Sequence, residues 1–169
     1  MLYEVGDKVV YPHHGAGTIV TKEVRTDAGS EREYLTIKIL HNDMTVMIPS
    51  DSADRAGLRK VIGEETVDEV LAVLQGDGTK MPKNWNRRFK HNRDKMKTGD
   101  IFELAEVVRN LAQRDQEKGL STGEKQMFSK AKRILASELM YAKGMDEEDA
   151  REFLEEVLED IGSARKARA

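Results

Sequence analysis

The chain contains no cysteine and only three prolines among its 169 residues. The absence of cysteine excludes a disulfide framework, a thiolate zinc site and a cysteine nucleophile. No apolar run approaches the roughly 20 residues that a membrane-spanning helix requires. The segment Tyr3–Lys8 is polar and has no secretory leader pattern. We therefore expect a cytoplasmic protein that has no membrane partner.

Sequence motifs of the common enzyme classes are also missing. The glycine pair Gly15-Ala-Gly17 lacks the third glycine and the following helix of a dinucleotide-binding fold, so a tight strand reversal is the better interpretation. There is no phosphate-loop lysine motif and no serine-elbow motif. The histidines are more typical of turns than of a metal site: His13, His14, His41 and His91. We expect no catalytic activity, no metal or other cofactor, and no small-molecule substrate.

The net charge is small, at −3, but positive and negative residues are strongly separated along the chain. Segment 80–97 has eight lysines and arginines against one acidic residue. Segment 146–160 has nine acidic residues against one arginine. Such separation predicts oppositely charged faces, and a basic face can be a footprint for nucleic acid.

The first fifty residues predict a small β module. Four segments are rich in β-branched and aromatic residues: Lys8–Tyr11, Thr18–Val24, Glu33–Ile39 and Met44–Ile48. The third segment alternates in hydropathy, which places Leu35, Ile37 and Ile39 on one face. Pro12 and Pro49 lie where strands should end. Several short strands in so few residues predict a strongly bent sheet or barrel.

Beyond residue 54 the apolar residues recur at helical spacing. Four apolar stripes lie within 67–74, 101–112, 127–142 and 150–161, and the basic segment adds another helix. Asp100 with Glu103, and Ser121 with Glu124 in a capping-box pattern, mark two helix starts. Pro82 is expected to open the basic helix as its first residue.

The predicted fold class is therefore α+β, a small bent sheet followed by a bundle of about five helices. We place the β module at residues 1–52 and a linker at 53–64. The helical domain is expected at 65–162, and a disordered basic tail at 163–169.

The only tryptophan of the chain, Trp85, lies within the basic segment near the start of a helix. On that helix, Arg88 lies one turn from Trp85, while Arg87, Lys90 and either Lys97 or Arg93 can share a broad face. Such cations neutralise phosphates, and an exposed indole can stack or wedge into a minor groove. The alternative is a core tryptophan beside a merely solvated basic face. We favour DNA binding, because core tryptophans are uncommon inside so dense a run of charge.

Motifs spread along the chain resemble those of the CarD/CdnL transcription regulators, and the likeness is strongest to actinobacterial CarD proteins. They are Val5–Gly15, Met47–Pro49, Gly57–Arg59, Trp85–Lys90 and Leu120–Lys125. The resemblance extends over roughly residues 1–160 and includes the order and spacing of the motifs.

This resemblance implies a Tudor-like N-terminal domain that binds the β subunit of RNA polymerase. It also implies a helical domain that contacts promoter DNA at the upstream edge of the melted region and stabilises the open complex. The expected DNA contacts are to the minor groove and backbone, without sequence specificity. The protein would then be associated with the nucleoid through RNA polymerase.

The resemblance also assigns residues to the two surfaces. The polymerase-contacting positions fall on Arg25 and on Met47, where some relatives carry arginine instead. Apolar packing on the polymerase is expected from Met47, Ile48 and Pro49. The expected DNA-contacting set is Trp85, Arg87, Arg88, Lys90, Arg93 and Lys125.

Two functions remain open from the sequence. The first is a transcription adaptor that acts through both polymerase and promoter DNA. The second is a free-standing DNA-binding protein without sequence specificity and without polymerase docking. Binding to the isolated polymerase β subunit would discriminate between them.

Overall fold

The computed structural model describes residues 2–168, except for the side chains of Asp27 and of residues 161–168. The strands of the N-terminal part are β1 Lys8–Tyr11, β2 Gly15–Asp27, β3 Ser30–Ile39, β4 Thr45–Pro49 and β5 Arg59–Lys60. They form one antiparallel sheet with the spatial order β4-β3-β2-β1-β5. A helical bundle follows this sheet, so the predicted α+β class is confirmed.

The hydropathy alternation of β3 determines which face of the sheet forms the core. Leu35, Ile37 and Ile39 are fully buried, as predicted, because side chains two positions apart lie on the same face. An irregularity in the β2–β3 register between Ile19 and Thr21 interrupts the ladder, and such bulges bend a sheet. The far end of the β2–β3 hairpin is exposed, apart from the undescribed Asp27 side chain.

The fifth strand lies within residues 53–64, which the sequence predicts to be a linker. Arg59 and Lys60 pair with Val10 and Val9 of β1, so this segment extends the sheet. A strand of two residues has no hydropathy alternation of its own, and therefore the sequence pattern does not predict it.

The five helices are α1 Glu64–Gln75, α2 Trp85–Lys97, α3 Ile101–Glu117, α4 Thr122–Lys143 and α5 Glu147–Arg168. Their starts follow the predicted caps. Asp100 accepts hydrogen bonds from two backbone N–H groups of α3, and Ser121 with Glu124 forms a complete capping box on α4. The prediction that Pro82 opens the basic helix is wrong, because Asn84 caps α2 and Trp85 is its first residue.

The acidic helix α5 packs mainly along α4, with further contacts to α1 and α3. Asp146 accepts a hydrogen bond from the Asp149 N–H at 2.8 Å, which caps the start of the helix. The backbone of α5 remains helical through Arg168, in contrast to the disordered tail predicted from residue 163.

The sheet and the bundle have separate apolar cores that adjoin at β1 and the start of β2. Val9 belongs to the core of the sheet, whereas the neighbouring Val10 and also Ala16 pack in the helical core. The Ala16 N–H donates to Ser137 Oγ of α4 at 3.0 Å. The two modules therefore share an ordered interface along α4.

An ion pair with a buried carboxylate crosses the same interface. Arg59 of β5 donates two hydrogen bonds to the carboxylate of Glu138 on α4, both at 2.6 Å. The Ile62 N–H donates to the same carboxylate at 2.8 Å, and Glu138 is fully buried. A buried carboxylate satisfied in this way holds β5 against α4 in one orientation, because displacing it would leave its charge without partners.

Candidate nucleic-acid and protein-interaction surfaces

Trp85 lies on the surface at the first position of α2, with 53% of the residue exposed. Asn84 Oδ1 accepts hydrogen bonds from the Asn86 and Arg87 N–H groups at 3.0 and 3.2 Å, which fixes where the helix begins. Burying an indole removes much apolar area from water, so an exposed tryptophan is uncommon on a soluble surface. The alternative of a core tryptophan is therefore wrong.

Arg88 is not available to DNA in this structure, although the sequence places it with the DNA-contacting residues. The residue is only 3% exposed. Its guanidinium donates to both carboxylate oxygens of Glu124, at 2.6 and 2.8 Å, and to the carbonyl oxygen of Lys83 at 3.0 Å. The assignment is corrected because these partners already occupy the guanidinium.

The Arg88–Glu124 ion pair joins the start of α2 to the start of α4. Glu124 is also the third residue of the α4 capping box, and the Ser121 hydroxyl donates to it at 2.9 Å. The hydrogen bonds from Arg88, followed by those from Ser121, lower the pKa of Glu124, although burial opposes this shift. The same contact raises the pKa of Arg88. Both groups therefore remain charged inside the protein, and the pair supports the segment that carries Trp85.

The other predicted DNA-contacting cations are exposed. Arg87, Lys90, Arg93 and Lys125 all lie on the surface. Lys90 forms an ion pair with Asp94 one helical turn later, at 2.8 Å. The Arg93 guanidinium lies over the Phe89 ring, 5.9 Å from its centroid. Exposed pairs of this kind are weak, so a phosphate can compete for both cations.

The helical period defines a basic face on α2. Lys90, Arg93 and the exposed Lys97 lie within about 60° of one another around the axis, at 100° per residue. Lys95 lies elsewhere, because its ammonium group forms ion pairs with Glu103 and Glu106 of α3. The basic face therefore comprises Lys90, Arg93 and Lys97, and Arg87 borders it.

Sequence reasoning did not assign two further cations that lie beside Trp85. Arg114 and Lys118, near the end of α3, line a surface depression together with Trp85 and the first turn of α4. Arg114 lies in the last turn of α3 and Lys118 directly follows the helix, so a spacing of four residues at a helix end is the signal that the sequence offers. The depression between the starts of α2 and α4 thus combines an exposed indole with two cations from the end of α3.

The predicted polymerase-contacting residues Arg25 and Met47 share one face of the sheet. Met47 pairs with Thr36, which in turn pairs with Thr21 of β2. Arg25 lies four residues beyond Thr21 on the same strand, and therefore on the same face. This outer face is opposite the one that buries Leu35. Arg25 donates to Glu23 on its own strand at 3.0 and 3.1 Å.

Ile48 does not belong to the exposed surface with which the sequence groups it. It is 7% exposed and lies opposite Leu35 in the core of the sheet. Met47 is 41% exposed, and Pro49 is half-buried. The correction follows from the strand period, because neighbouring residues of β4 lie on opposite faces.

Strand β4 is an edge strand of the sheet. Within the described strands it pairs only with β3, so the backbone groups of its other side have no strand partner. Met47 within β4 and Pro49 at its end place apolar side chains on this edge strand. An edge with apolar neighbours is a surface to which another protein's strand can be added.

Two kinds of feature are absent from the described residues. No helix in this part of the chain combines the length and the apolar character needed to cross a bilayer. No group of three or more histidine, aspartate or glutamate side chains within it has an arrangement that would hold a metal ion.

Comparison with known proteins matches both halves of the chain. Residues 3–62 match the CarD-like/TRCF RID domain, and residues 69–155 match the CarD C-terminal domain. The chain is 36% identical over 152 residues to a Bacillus subtilis protein named "Putative transcription factor YdeB", covering 90% of this chain and 99% of that protein.

Among solved structures, the 72-residue N-terminal domain of Myxococcus xanthus CarD, determined by NMR in solution, is 32% identical. That match covers 34% of this chain and 76% of the solved domain, with a TM-score of 0.30. The two domain matches and the full-length likeness to the Bacillus protein establish the identity of the chain: it belongs to the CarD-like family of transcription factors.

Proposed function

We propose that this protein docks on the β subunit of RNA polymerase through its sheet module and contacts promoter DNA through the surface around Trp85, thereby stabilising the open complex. The observation that carries the proposal is the exposed indole at the start of α2, set among cations and supported by the buried Arg88–Glu124 pair. A membrane or a small-molecule substrate has no part in this function, and the protein acts where the polymerase acts, at the nucleoid.

Docking on polymerase is supported by the free edge and the outer face of the sheet. An added strand would use the unpaired backbone groups of β4, and main-chain hydrogen bonds would supply much of the attachment. Met47 and Pro49 offer apolar contact next to that edge, and Arg25 offers a charge on the same face. Because Ile48 faces the core, we leave it out of the proposed contact surface.

DNA contact is supported by the exposed cations of α2 and its neighbours. Arg87, Lys90, Arg93 and Lys125 are the proposed phosphate ligands among the residues assigned from the sequence. Arg88 is left out because Glu124 occupies it. A few phosphate contacts give weak binding to duplex, but docking on polymerase raises the local concentration of this surface beside the promoter.

Trp85 is proposed to discriminate between closed and melted DNA. An indole can insert where base steps separate, and at the upstream edge of a bubble the separation already exists. Insertion into an intact duplex would have to unstack the bases, which costs a few kcal/mol per step. The protein therefore favours the open complex by binding it more tightly, since only differential affinity shifts an equilibrium.

The test uses the full chain with purified RNA polymerase of the same organism. We expect this protein to be retained by the isolated β subunit. We also expect it to lengthen the lifetime of the open complex on a promoter after a competitor is added. Failure to bind the β subunit, combined with DNA binding unaffected by polymerase, would instead support the free-standing DNA-binding protein. No effect on lifetime despite docking would contradict the role assigned to Trp85.

A further inference from the structure

The turn between β1 and β2 has an unusual residue at its tightest position. The His14 N–H donates to the Tyr11 carbonyl oxygen at 3.0 Å, which closes a four-residue turn. Pro12 occupies its second position, and His13 occupies the third with a φ of 70°. Proline followed by a positive φ is the pattern of a type II turn, in which the third position favours glycine. A histidine at this position is strained, and such strain is concentrated at functional sites.

Packing against the rest of the protein holds the turn in this conformation. Pro12 is buried between Gly57 and Gly99, where an added Cβ would approach the proline Cγ to 2.7 and 3.2 Å respectively. Arg133 of α4 donates to the His14 carbonyl oxygen at 3.3 Å. The turn therefore packs against both the segment after α2 and the middle of α4, and these contacts favour the positive φ of His13.

His13 lines a depression of about 250 Å³ between α2 and α4. Arg93 of α2 and Lys130 of α4 also line it, over apolar residues that include Met96 and Met127. No carboxylate is among the described residues that line it. Three basic side chains from three separate elements thus surround one depression.

Burial and positive charge act together on the basic groups of this cluster. Burial lowers the pKa of His13, and the positive charges of Lys130 on α4, His14 on the turn and Lys97 on α2 lower it further. Burial and the charge of Arg133 lower the pKa of Lys130. A phosphate in the depression would relieve both the repulsion and part of the desolvation.

The depression is continuous with the surface around Trp85. Gly123 of α4 lines both this depression and the one that Trp85 lines. Along α2, Trp85, Phe89 and Arg93 follow at intervals of four residues and therefore lie along one side of the helix. The distance along the helix axis from Trp85 to Met96 is about 16 Å. One strand of duplex DNA has a phosphate about every 3.4 Å of axis, so this length matches about four or five nucleotides.

We infer that the groove from Trp85 to His13 binds the sugar–phosphate backbone of one promoter strand, and that His13 and Lys130 bind a phosphate at its far end. The inference rests on the proposed function, because the DNA is the same. It adds that the sheet module, through the β1–β2 turn, contributes a residue to the DNA surface. It also makes the affinity for DNA depend on pH near neutrality.

The test measures binding of the full chain to a fluorescent DNA that joins a duplex to a melted segment, by anisotropy, at pH 6 to 8 and several salt concentrations. The variants are His13→Gly and Lys130→Gln, with His91→Gln as the control, because His91 lines neither depression. Glycine suits a positive φ, so the melting temperature of His13→Gly should equal or exceed that of the wild type.

We expect the wild-type affinity to rise as pH falls from 8 to 6, because bound phosphate favours protonated His13 and binding then takes up a proton. His13→Gly should bind roughly three- to tenfold more weakly at pH 6 and lose this pH-dependent gain, a loss of the size expected for one hydrogen bond on an accessible surface. Lys130→Gln should reduce the log–log salt slope by about one. His91→Gln should behave as the wild type.

The two proposals fail in different ways. Wild-type affinity, pH dependence and salt slope in both His13→Gly and Lys130→Gln would overturn this inference and leave the proposed function standing. An equal loss of the pH-dependent gain in His91→Gln would also overturn it. No measurable binding of the wild-type protein to the DNA, with or without polymerase, would contradict the proposed function itself.

Discussion

Arg88 and Glu124 are 36 positions apart in the chain and form a buried ion pair with two hydrogen bonds, at 2.6 and 2.8 Å. Arg87, the residue before Arg88, has an exposed side chain. Its backbone N–H donates to Asn84 Oδ1 at 3.2 Å. Two adjacent arginines therefore have different tasks, since one supports the fold and the other is free to meet an anion.

The first prediction separates these tasks. Arg88→Met should lower the free energy of unfolding by about 3–5 kcal/mol, because it leaves the Glu124 carboxylate buried without its partner. Arg87→Met is the matched control and should change it by less than about 0.5 kcal/mol, as expected for a surface position. Urea titration measures both. Equal stability of the two variants would show that the ion pair does not support the fold.

The second prediction concerns acid. The pKa of Glu124 is lowered in the folded protein, so its contribution to stability is present above the unfolded pKa of about 4.3 and is lost as pH falls toward the folded value. Glu124→Gln lacks this carboxylate at every pH. The difference in unfolding free energy between wild type and Glu124→Gln should therefore be constant near neutrality and shrink below about pH 5. A difference that is the same at pH 7 and pH 3.5 would contradict the assigned direction.

The third prediction concerns Trp85. Because the indole is about half exposed, Trp85→Ala should lower the free energy of unfolding by less than about 1 kcal/mol, well below the 3–5 kcal/mol of a truncated core aromatic. The same variant should shorten open-complex lifetime, whereas Trp85→Phe should retain part of the effect. Thermal melts and competitor-challenged transcription assays measure the two quantities. A large loss of stability in Trp85→Ala would instead show that Trp85 is part of the folded core.

The fourth prediction concerns salt. If three or four of the exposed cations contact phosphates, the logarithm of the duplex binding constant should fall against log salt with a slope of roughly −3 to −4. Lys90→Gln should reduce the slope by about one, whereas Lys95→Gln, whose ammonium group is held by Glu103 and Glu106, should leave it unchanged. Binding titrations between about 50 and 200 mM salt measure these slopes. A nearly flat slope would rule out phosphate contacts.

The fifth prediction concerns polymerase docking. Met47→Asp should weaken binding to the β subunit, because it places an unpaired carboxylate against an apolar partner surface. Met44→Asp is the matched control, since Met44 is 39% exposed, close to the 41% of Met47, but precedes β4. Arg25→Glu should also impair docking while leaving DNA binding intact. Pull-down with the isolated β subunit measures all three. Equal weakening by both methionine variants would mean that Met47 has no specific contact.

Local patterns in the sequence predict the elements of this fold well. The alternation of Leu35, Ile37 and Ile39 identifies the buried face of β3, and the cap at Ser121 identifies the start of α4. These signals succeed because each depends on residues a few positions apart. The same strand period, applied to β4, would have placed Ile48 inside and Met47 outside.

Long-range partners are what the sequence does not reveal. Nothing in the sequence near Arg88 indicates that it forms a buried ion pair with Glu124, because both residue types are typical of exposed helix faces. Likewise Arg59 and Glu138 are 79 positions apart, and no spacing rule connects them. The sequence around His13 predicts an ordinary turn residue, because its positive φ depends on the packing of Pro12 between Gly57 and Gly99.

The Arg59–Glu138 pair has a consequence for how a promoter would be read. Because this pair holds β5 against α4, it restrains the distance between the edge strand β4 and the indole of Trp85. A polymerase-docked copy would therefore touch DNA at one offset from the enzyme, whatever bases lie there. Promoters would then differ in their response according to where their melted region begins, and position would take the place of a recognition sequence.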